Sequence, residues 1–130
     1  MRFGYAIVYV PSVTDSMRFF VEAFGFTQRF LHEGGDYGEL NTGETTLAFA
    51  SHDLGGANLP EGYVRASDSQ LPLGFEIVLV ADDVDAAFSA ALASGAVAVA
   101  LPAKKPWGQV VAYVRAPDGV LVELCSPIAA

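Results

Sequence analysis

The chain has 130 residues, of which 52% are apolar and 17% are charged, and this balance excludes a disordered or low-complexity protein. Its 15 acidic residues against 7 basic ones give a formal net charge of −8, so nucleic acid and anionic membranes would be repelled and ligands should be neutral or cationic. Because no apolar run approaches the roughly 20 residues of a membrane span and signal-peptide features are missing, we expect one cytoplasmic domain over residues 1–130, without membrane or nucleic-acid partners.

The first half of the chain reads as one strand, one helix and three further strands. Residues 4–10 form an apolar run with strand character, and apolar residues at helical spacing follow over residues 13–24. Thr14 or Asp15 can cap the start of this helix, and a glycine follows its end. We therefore predict a βαβββ module over residues 1–52, whose last three strands lie at residues 28–32, 37–41 and 45–51.

The same order of elements recurs in the second half, which indicates an internal duplication. A shift of 71 residues superimposes Ile7 on Val78 and carries the first helix onto an apolar run that begins at Val84. We predict a linker over residues 53–72, which has no periodic pattern and is long enough to be functional or mobile. The second βαβββ module is expected over residues 73–127, with β-type runs at residues 97–101, 109–114 and 120–125.

Two glutamates stand at unusual places in these strands. Glu76 lies in the first strand of the second module and Glu123 in its last strand, each among apolar residues. A carboxylate there costs several kcal/mol unless it is paired, hydrogen-bonded, protonated or bound to a cation. A solvent-facing glutamate on an edge strand, or a neutral acid bonded to the backbone, would also fit each site alone. Because both acids occupy equivalent ends of one module, we favour a functional pair.

Three stretches carry a resemblance to the vicinal oxygen chelate superfamily, which includes glyoxalase I, extradiol dioxygenases, fosfomycin-modifying thiol transferases and bleomycin-resistance proteins. They are residues 5–20 (YAIVYVPSVTDSMRFF), 75–88 (FEIVLVADDVDAAF) and 116–124 (APDGVLVEL), the last of which resembles the family's D-P-D-G-x-x-x-E-L motif. The resemblance implies an α+β fold in which two βαβββ modules form a cupped mixed sheet around a cavity, paired across a dimer. Whether the dimer exchanges modules stays open.

The resemblance also identifies the positions where enzymes of this superfamily bind a divalent metal. These positions lie on the first and last strands of each module and hold Tyr5, Ala48, Glu76 and Glu123 in this chain. Only Glu123 is a residue that usually binds the metal at these positions. Neither of the two histidines of the chain falls on a strand that carries one of these positions, and borderline transition metals prefer imidazole ligands. We therefore expect no metal and no cofactor, which argues against glyoxalase, dioxygenase and thiol-transferase chemistry.

Without a metal, the resemblance is closest in character to the bleomycin-resistance binding proteins. It implies a homodimer that binds and sequesters a hydrophobic aromatic small molecule such as an antibiotic, as in drug resistance, rather than an enzyme. Trp107, in a turn between proline and glycine, is a natural stacking plate, and Asp36 and Glu39 are further acids that could meet a cationic ligand group. Core or hairpin packing is the competing explanation for Phe49 and Tyr113. The expected ligand-binding residues are Tyr5, Tyr37, Ala48, Phe49, Glu76, Trp107, Tyr113 and Glu123.

A second hypothesis keeps the fold but makes the protein an enzyme. Two neighbouring carboxylates push their pKa values apart, so Glu76 and Glu123 could supply one acid and one base to a small-molecule isomerase, lyase or hydrolase. The same pair could hold a weakly bound divalent metal with several waters. A structural or regulatory interaction module is the third hypothesis, which the absence of a cavity would favour.

Overall fold

A computed structural model describes residues 1–128 and shows the two βαβββ modules of an α+β fold that the sequence predicted. The first module contains β1 (Tyr5–Val10), α1 (Val13–Phe24), β2 (Gln28–Leu31), β3 (Tyr37–Leu40) and β4 (Thr46–Ser51). The intervening segment contains a short helix, α2 (His52–Asn58), and a 3-10 turn (Ala66–Asp68). The second module contains β5 (Ile77–Val80), α3 (Val84–Ala93), β6 (Val97–Lys104), β7 (Val110–Arg115) and β8 (Leu121–Cys125). Across the described residues, no helix has the length and apolar character to span a membrane.

Each module forms its own four-stranded mixed sheet, with strand order β1-β4-β3-β2 in the first and β5-β8-β7-β6 in the second. The first and last strands of a module run parallel to each other, whereas the other neighbours are antiparallel. β1 and β5 are therefore edge strands, and no strand pair joins the two sheets within residues 1–128. The last strand of each module lies inside its sheet, directly beside the first strand.

The helices cover one side of each sheet and join the modules into one core. Because successive side chains of a strand point to opposite faces, Val8 and Val10 of β1 both point into this core, where Phe20 of α1 is fully buried. Phe88 of α3 and Val122 of β8 belong to the same hydrophobic cluster, and α1 packs against α3. This side of both sheets is thereby largely filled by the helices.

The helix ends follow the sequence with one correction. Gly25 has a φ of 77° and ends α1, and the Asp83 side chain accepts a backbone hydrogen bond of 3.0 Å at the start of α3. The prediction that Thr14 or Asp15 caps α1 is wrong. The Ser12 hydroxyl accepts from the Asp15 amide at 3.2 Å, so both predicted residues lie inside the first turn.

A buried hydrogen bond ties the first helix to the turn before the last strand. Ser16 Oγ donates to Asp118 Oδ2 at 2.7 Å, and the Val120 amide donates to Asp118 Oδ1 at 3.1 Å. All three residues are buried. Burial raises the pKa of Asp118 above its ordinary value, and the two hydrogen bonds oppose this effect. The turn between β7 and β8 is therefore a link between the modules as well as a hairpin.

Arg115, at the end of β7, holds the linker against the second module. Its guanidinium donates to the backbone carbonyls of Gly119 at 3.0 Å, Gln70 at 3.0 Å, Ala66 at 2.9 Å and Ser69 at 2.6 Å. At Gly119, where φ is 93°, a Cβ atom would lie 2.2 Å from the Ala66 carbonyl oxygen, so glycine is required. The C-terminal part of the predicted linker is thus held in place by these hydrogen bonds.

We expect Asp118→Ala to lower the free energy of unfolding by about 1–3 kcal/mol, because Ser16 and Val120 lose their shared acceptor. Asp118→Asn can accept from Val120 and donate to Ser16, so its stability should stay within about 1 kcal/mol of wild type. The folded state disfavours ionised Asp118, so wild-type stability relative to Asp118→Asn should fall as pH rises through the raised pKa. Urea unfolding across the acidic and neutral range measures this difference, and a rise with pH would contradict it.

Arg115→Met should lower the free energy of unfolding by about 1–3 kcal/mol, because four backbone carbonyls lose their donor. Amide hydrogen exchange of residues 66–70 should rise at the same time. Arg18→Met is the matched control, since Arg18 makes an exposed ion pair with Asp15 at 3.2 Å, and such pairs contribute about 0–1 kcal/mol. Equal effects of the two substitutions on stability and on hydrogen exchange would show that Arg115 does not hold the linker against the second module.

Candidate functional site

Each sheet has a second face, opposite its helix, which we call the open face. Strand alternation places Tyr5, Ile7 and Tyr9 of β1 on the open face of the first sheet. It places Val78 and Val80 of β5 on that of the second. Ile7, Val78 and Val80 are exposed by 48%, 46% and 67%. These apolar side chains stay largely uncovered in the described chain, so both faces are available to a ligand or to a second copy.

The two glutamates singled out by the sequence meet on the open face of the second sheet. Glu123 lies in β8, where Val78 of β5 and Tyr113 of β7 are its register neighbours. The Tyr113 hydroxyl donates to Glu123 Oε1 at 2.8 Å. Glu76 directly precedes β5 and is exposed, and its partial desolvation, a hydrogen bond with Glu123 and repulsion from the Glu123 charge together raise the pKa of Glu76. The pair therefore places an acid with a raised pKa beside a carboxyl group that already accepts a hydrogen bond from a phenol.

The other ionisable neighbours of Glu123 keep their protons at neutral pH. The bond to Glu123, followed by burial, raises the pKa of Tyr113 to about 12. Cys125, two residues further along β8, is buried, and its burial followed by the Glu123 charge raises the pKa of the thiol. A buried thiol in its protonated form is a poor nucleophile. Neither Tyr113 nor Cys125 is therefore activated as a nucleophile.

An apolar groove adjoins the second open face where the two modules meet. Its volume is about 560 Å³, which lies within the range of about 300–1,000 Å³ for small-molecule sites. Its walls include Phe3 and Leu47 from the first module and Phe75, Glu76 and Val78 from the second. Glu76 can therefore be reached from a space large enough for a small organic molecule.

The open face of the first sheet carries its own tyrosine–glutamate pair. The Tyr37 hydroxyl donates to Glu39 Oε2 at 2.7 Å, and burial followed by this bond raises the pKa of Tyr37. Arg29 Nε lies 3.7 Å from Glu39 Oε1, and Arg29 Nη1 donates to Thr46 Oγ1 at 3.3 Å. Tyr5 and Arg29 also line a groove of about 580 Å³ at this edge. The sequence analysis missed Arg29, whose one signal is its opposite charge to Glu39 on a neighbouring strand.

Two of the predicted lining residues lie away from the centres of the open faces. Phe49 is fully buried, with its ring centre 5.3 Å from that of Phe20, because it alternates with Ala48 and faces the helix. Core packing, which competed with ligand contact as its explanation, accounts for this position. Trp107 is 66% exposed in the turn between β6 and β7. The open faces carry the other six residues, with Tyr5, Tyr37 and Ala48 on the first sheet and Glu76, Tyr113 and Glu123 on the second. Ala48 is fully buried among its neighbours on that face.

An aromatic cluster that the sequence analysis missed covers the end of the first open face. The Tyr63 ring lies 4.9 Å from that of Tyr9, and the Tyr63 hydroxyl lies 2.6 Å from His52 Nδ1. His52 Nε2 is buried without a hydrogen-bond partner among residues 1–128, and burial followed by the Arg65 charge lowers the pKa of His52. All five tyrosines of the chain are thus on the open side of the sheets. The spacing of Tyr5 and Tyr9, which places both on one face of β1, was the only sequence feature that pointed to this aromatic cluster.

The family model described as the Glyoxalase/Bleomycin resistance protein/Dioxygenase superfamily matches residues 2–124. The chain belongs to this superfamily. No curated protein matches it. The resemblance that the sequence motifs carried is thereby confirmed at the level of the superfamily.

Several solved structures share the fold of this superfamily member. A glyoxalase-related enzyme from Fulvimarina pelagi is 17% identical, with a TM-score of 0.82 over 98% of this chain and 88% of that one. A glyoxalase/bleomycin resistance protein/dioxygenase family enzyme from Burkholderia phytofirmans PsJN is 17% identical, with a TM-score of 0.81 over 99% and 100% of the chains. TioX from Micromonospora sp. ML1 is 20% identical, with a TM-score of 0.71 over 97% and 98%. At these identities the likeness shows the fold alone.

The side chains of this superfamily member do not fit the divalent metal that the resemblance implies for its enzymes. The corresponding positions hold Tyr5, Ala48, Glu76 and Glu123, so the first sheet supplies a phenol and a methyl group in place of metal ligands. Within the described part of the chain, no three His, Cys, Asp or Glu side chains are grouped so that they could hold a metal ion. This donor set is too poor for a tightly held divalent metal.

We expect Glu123→Gln to move the pKa of Glu76 part of the way back towards its ordinary value, because the repulsive charge disappears while the partial desolvation remains. Carboxyl carbon NMR of the glutamate side chains during a pH titration measures this shift. Glu22→Gln, an exposed substitution on α1, is the control and should leave the Glu76 titration unchanged. An unshifted Glu76 titration in Glu123→Gln would show that the two carboxyls do not interact.

Proposed function

We propose that this superfamily member is a homodimeric, metal-independent protein that binds and sequesters a planar aromatic small molecule, such as an antibiotic, between its open faces. The observation that carries the proposal is the set of exposed and partly buried tyrosine, carboxyl and aliphatic side chains on both faces. Large exposed apolar surfaces of this kind mark ligand or protein interfaces. Grooves of about 560 and 580 Å³ beside the two faces give the space that a small molecule needs.

Dimerisation is proposed because each chain holds the site in two separate halves. The hydrogen bonds of Tyr37 stay within the first sheet and those of Tyr113 stay within the second. Ile7 and Val80, next to the unpaired edges of β1 and β5, would be covered if the first sheet of one copy met the second sheet of another. A two-fold axis makes two such contacts at once, so both copies gain a complete site.

The ligand chemistry follows from the hydrogen-bonding groups on the two faces. Tyr37 and Tyr113 direct their protons towards carboxylates, so their oxygens remain as acceptors, and Glu39 and Glu123 add further acceptors. Arg29 is engaged by Glu39 and Thr46. The faces therefore favour a ligand that brings N–H or O–H donors or a positive charge. Aromatic side chains add stacking and cation–π contacts.

The raised pKa of Glu76 beside Glu123 supports a second candidate function. One carboxyl would act as an acid and the other as a base on the same bound molecule, as in an isomerase, lyase or hydrolase of this fold. The two functions differ in their response to Glu123→Gln. An enzyme of this kind would lose turnover of a molecule that it converts, whereas a binding protein would lose affinity and leave the molecule unchanged.

Calorimetric titration with proflavine, a three-ring aromatic cation, tests the proposed function. We expect saturable binding that raises the melting temperature, and no binding of acridine-9-carboxylate, which has the same rings but a negative charge. Glu123→Gln should weaken proflavine binding about tenfold, equivalent to about 1.4 kcal/mol. Binding of neither compound to the wild type, or equal binding of both, would contradict the ligand chemistry. One transition metal per chain in elemental analysis would overturn metal independence.

Sedimentation velocity tests the dimer. Ile7→Lys places a charge on the open face and should convert the dimer to a monomer and abolish proflavine binding. Val21→Lys, at an exposed position on α1, is the matched control and should leave both unchanged. A wild-type monomer that binds proflavine at full affinity would overturn the shared site.

A further inference from the structure

The segment between β4 and the 3-10 turn, residues 52–65, lies against one end of the first open face, and we call it the strap. Tyr63 of the strap packs its ring against that of Tyr9, with the ring centres 4.9 Å apart. Tyr9 is half-buried, whereas Tyr5, on the same face of β1, is 58% exposed. The strap thus covers the Tyr9 end of the face and leaves the Tyr5 end open.

Few contacts hold the strap in this place. Of the seven described residues of α2, only Gly55 is buried, and a Cβ atom there would lie 2.5 Å from the Tyr63 hydroxyl oxygen. Leu59 and Val64 are both exposed. Helices shorter than about 12 residues are not stable in water without tertiary contacts. The order of α2 therefore depends on the packing of Tyr63.

His52 connects Tyr63 to the end of β4 in a geometry that suits the neutral imidazole. The two rings are stacked with their centres 5.8 Å apart, and His52 Nδ1 lies 2.6 Å from the Tyr63 hydroxyl oxygen. Tyr9, from β1, is the third ring of this cluster. His52 Nε2 is buried and has no hydrogen-bond partner among residues 1–128. Protonation puts a hydrogen on both ring nitrogens, so Nε2 becomes a charged donor without an acceptor, which is costly to bury.

The charged groups that face His52 come from α2, from the strap and from the 3-10 turn. Asp53 on α2 and Asp68 in the 3-10 turn attract a proton to the imidazole, whereas Arg65 of the strap repels it. Burial, followed by the Arg65 charge, outweighs the two carboxylates and lowers the pKa of His52 below its ordinary value. The surroundings of the ring therefore disfavour its protonated form.

We propose that the strap is a pH-sensitive cover of the first open face, which neutral His52 holds closed over Tyr9 and protonated His52 releases so that Nε2 reaches water. Its two ends stay attached, because β4 precedes it and Arg115 binds the carbonyls of Ala66 and Ser69 behind it. The closed form binds the proton less well than the open form. Closure is therefore strongest above the ordinary pKa of histidine, about 6.5, and weakens as pH falls below it.

Amide hydrogen exchange of the strap at about pH 7.5 and about pH 5, between which histidine changes its charge, tests the proposal. The Leu59 and Gly62 amides donate to the carbonyls of Gly55 and Leu59 at 2.9 and 2.8 Å, so they report on the order of the strap. We expect their protection factors, corrected for the intrinsic effect of pH on exchange, to be about three- to tenfold lower at the acidic pH. Equal protection at both pH values would overturn the proposal.

Substitution of each histidine in turn separates the strap from other effects of acid. His52→Phe keeps a ring that can stack on Tyr63 but cannot take a proton, so protection of the strap should become independent of pH. His32→Phe is the matched control, because His32 is the other histidine of the chain and is exposed, and it should keep the wild-type pH dependence. A pH dependence that persists in His52→Phe, or that disappears in His32→Phe, would overturn the role of His52.

Tyr63→Phe tests the contact from the other side. It keeps the ring against Tyr9 and removes the hydroxyl beside His52 Nδ1. We expect protection of the strap at about pH 7.5 to fall about three- to tenfold. The pKa of His52, followed by proton NMR, should move back towards its ordinary value as water reaches the ring. Unchanged protection and titration would overturn the closure by Tyr63. Both measurements use the free chain, so their outcome is independent of the proflavine titration.

Discussion

One helix can cover only one face of a four-stranded sheet, and this limit governs the rest of the molecule. In each module the helix closes the side that carries Val8, Val10 or Val122, and the modules join through this common core. Apart from the Tyr63 cluster at the end of the first sheet, the opposite side has no second layer in the described chain, although it carries Ile7 and Val80. Because each module has only two packed layers, apolar side chains on the open face are left exposed to water. A ligand and a second copy of the chain can bury them together.

Strand alternation explains why part of the site could be predicted from the sequence. Glu76 and Glu123 stood out because each interrupts an apolar strand, and alternation with parallel pairing of β5 and β8 brings them to one face. The same rule excludes Ala48 and Phe49 from lining one site together, since neighbouring residues of a strand point to opposite faces. The partnership of Arg29 with Glu39 depends on how β2 pairs with β3, where the register shifts at a bulge, and short-range patterns do not reveal that pairing.

The segment between the modules shows where prediction from sequence stops. Its glycines and lack of period indicate a loop, yet α2 forms there, and Gly55 is the place where the Tyr63 hydroxyl packs. The contacts that order the segment are distant in sequence, as in the hydrogen bond between Arg115 and the Ser69 carbonyl, 46 residues away. Tertiary contacts of this kind override local propensity, and only the folded chain brings the donor to its acceptors.

The two modules hold their acids in the same way although their sequences have diverged. The tyrosine lies on the equivalent strand in both modules, Tyr37 on β3 and Tyr113 on β7, whereas the acid has moved from β3 in the first module to β8 in the second. In both sheets a tyrosine hydroxyl donates a hydrogen bond to a glutamate carboxyl oxygen, and the two oxygen atoms lie 2.7 or 2.8 Å apart. Hydrogen bonds to an ionised acceptor are about twice as strong as neutral ones, so each carboxylate is stabilised without a metal. A face built in this way presents hydrogen-bond acceptors, which match the donor-bearing ligand of the proposed function.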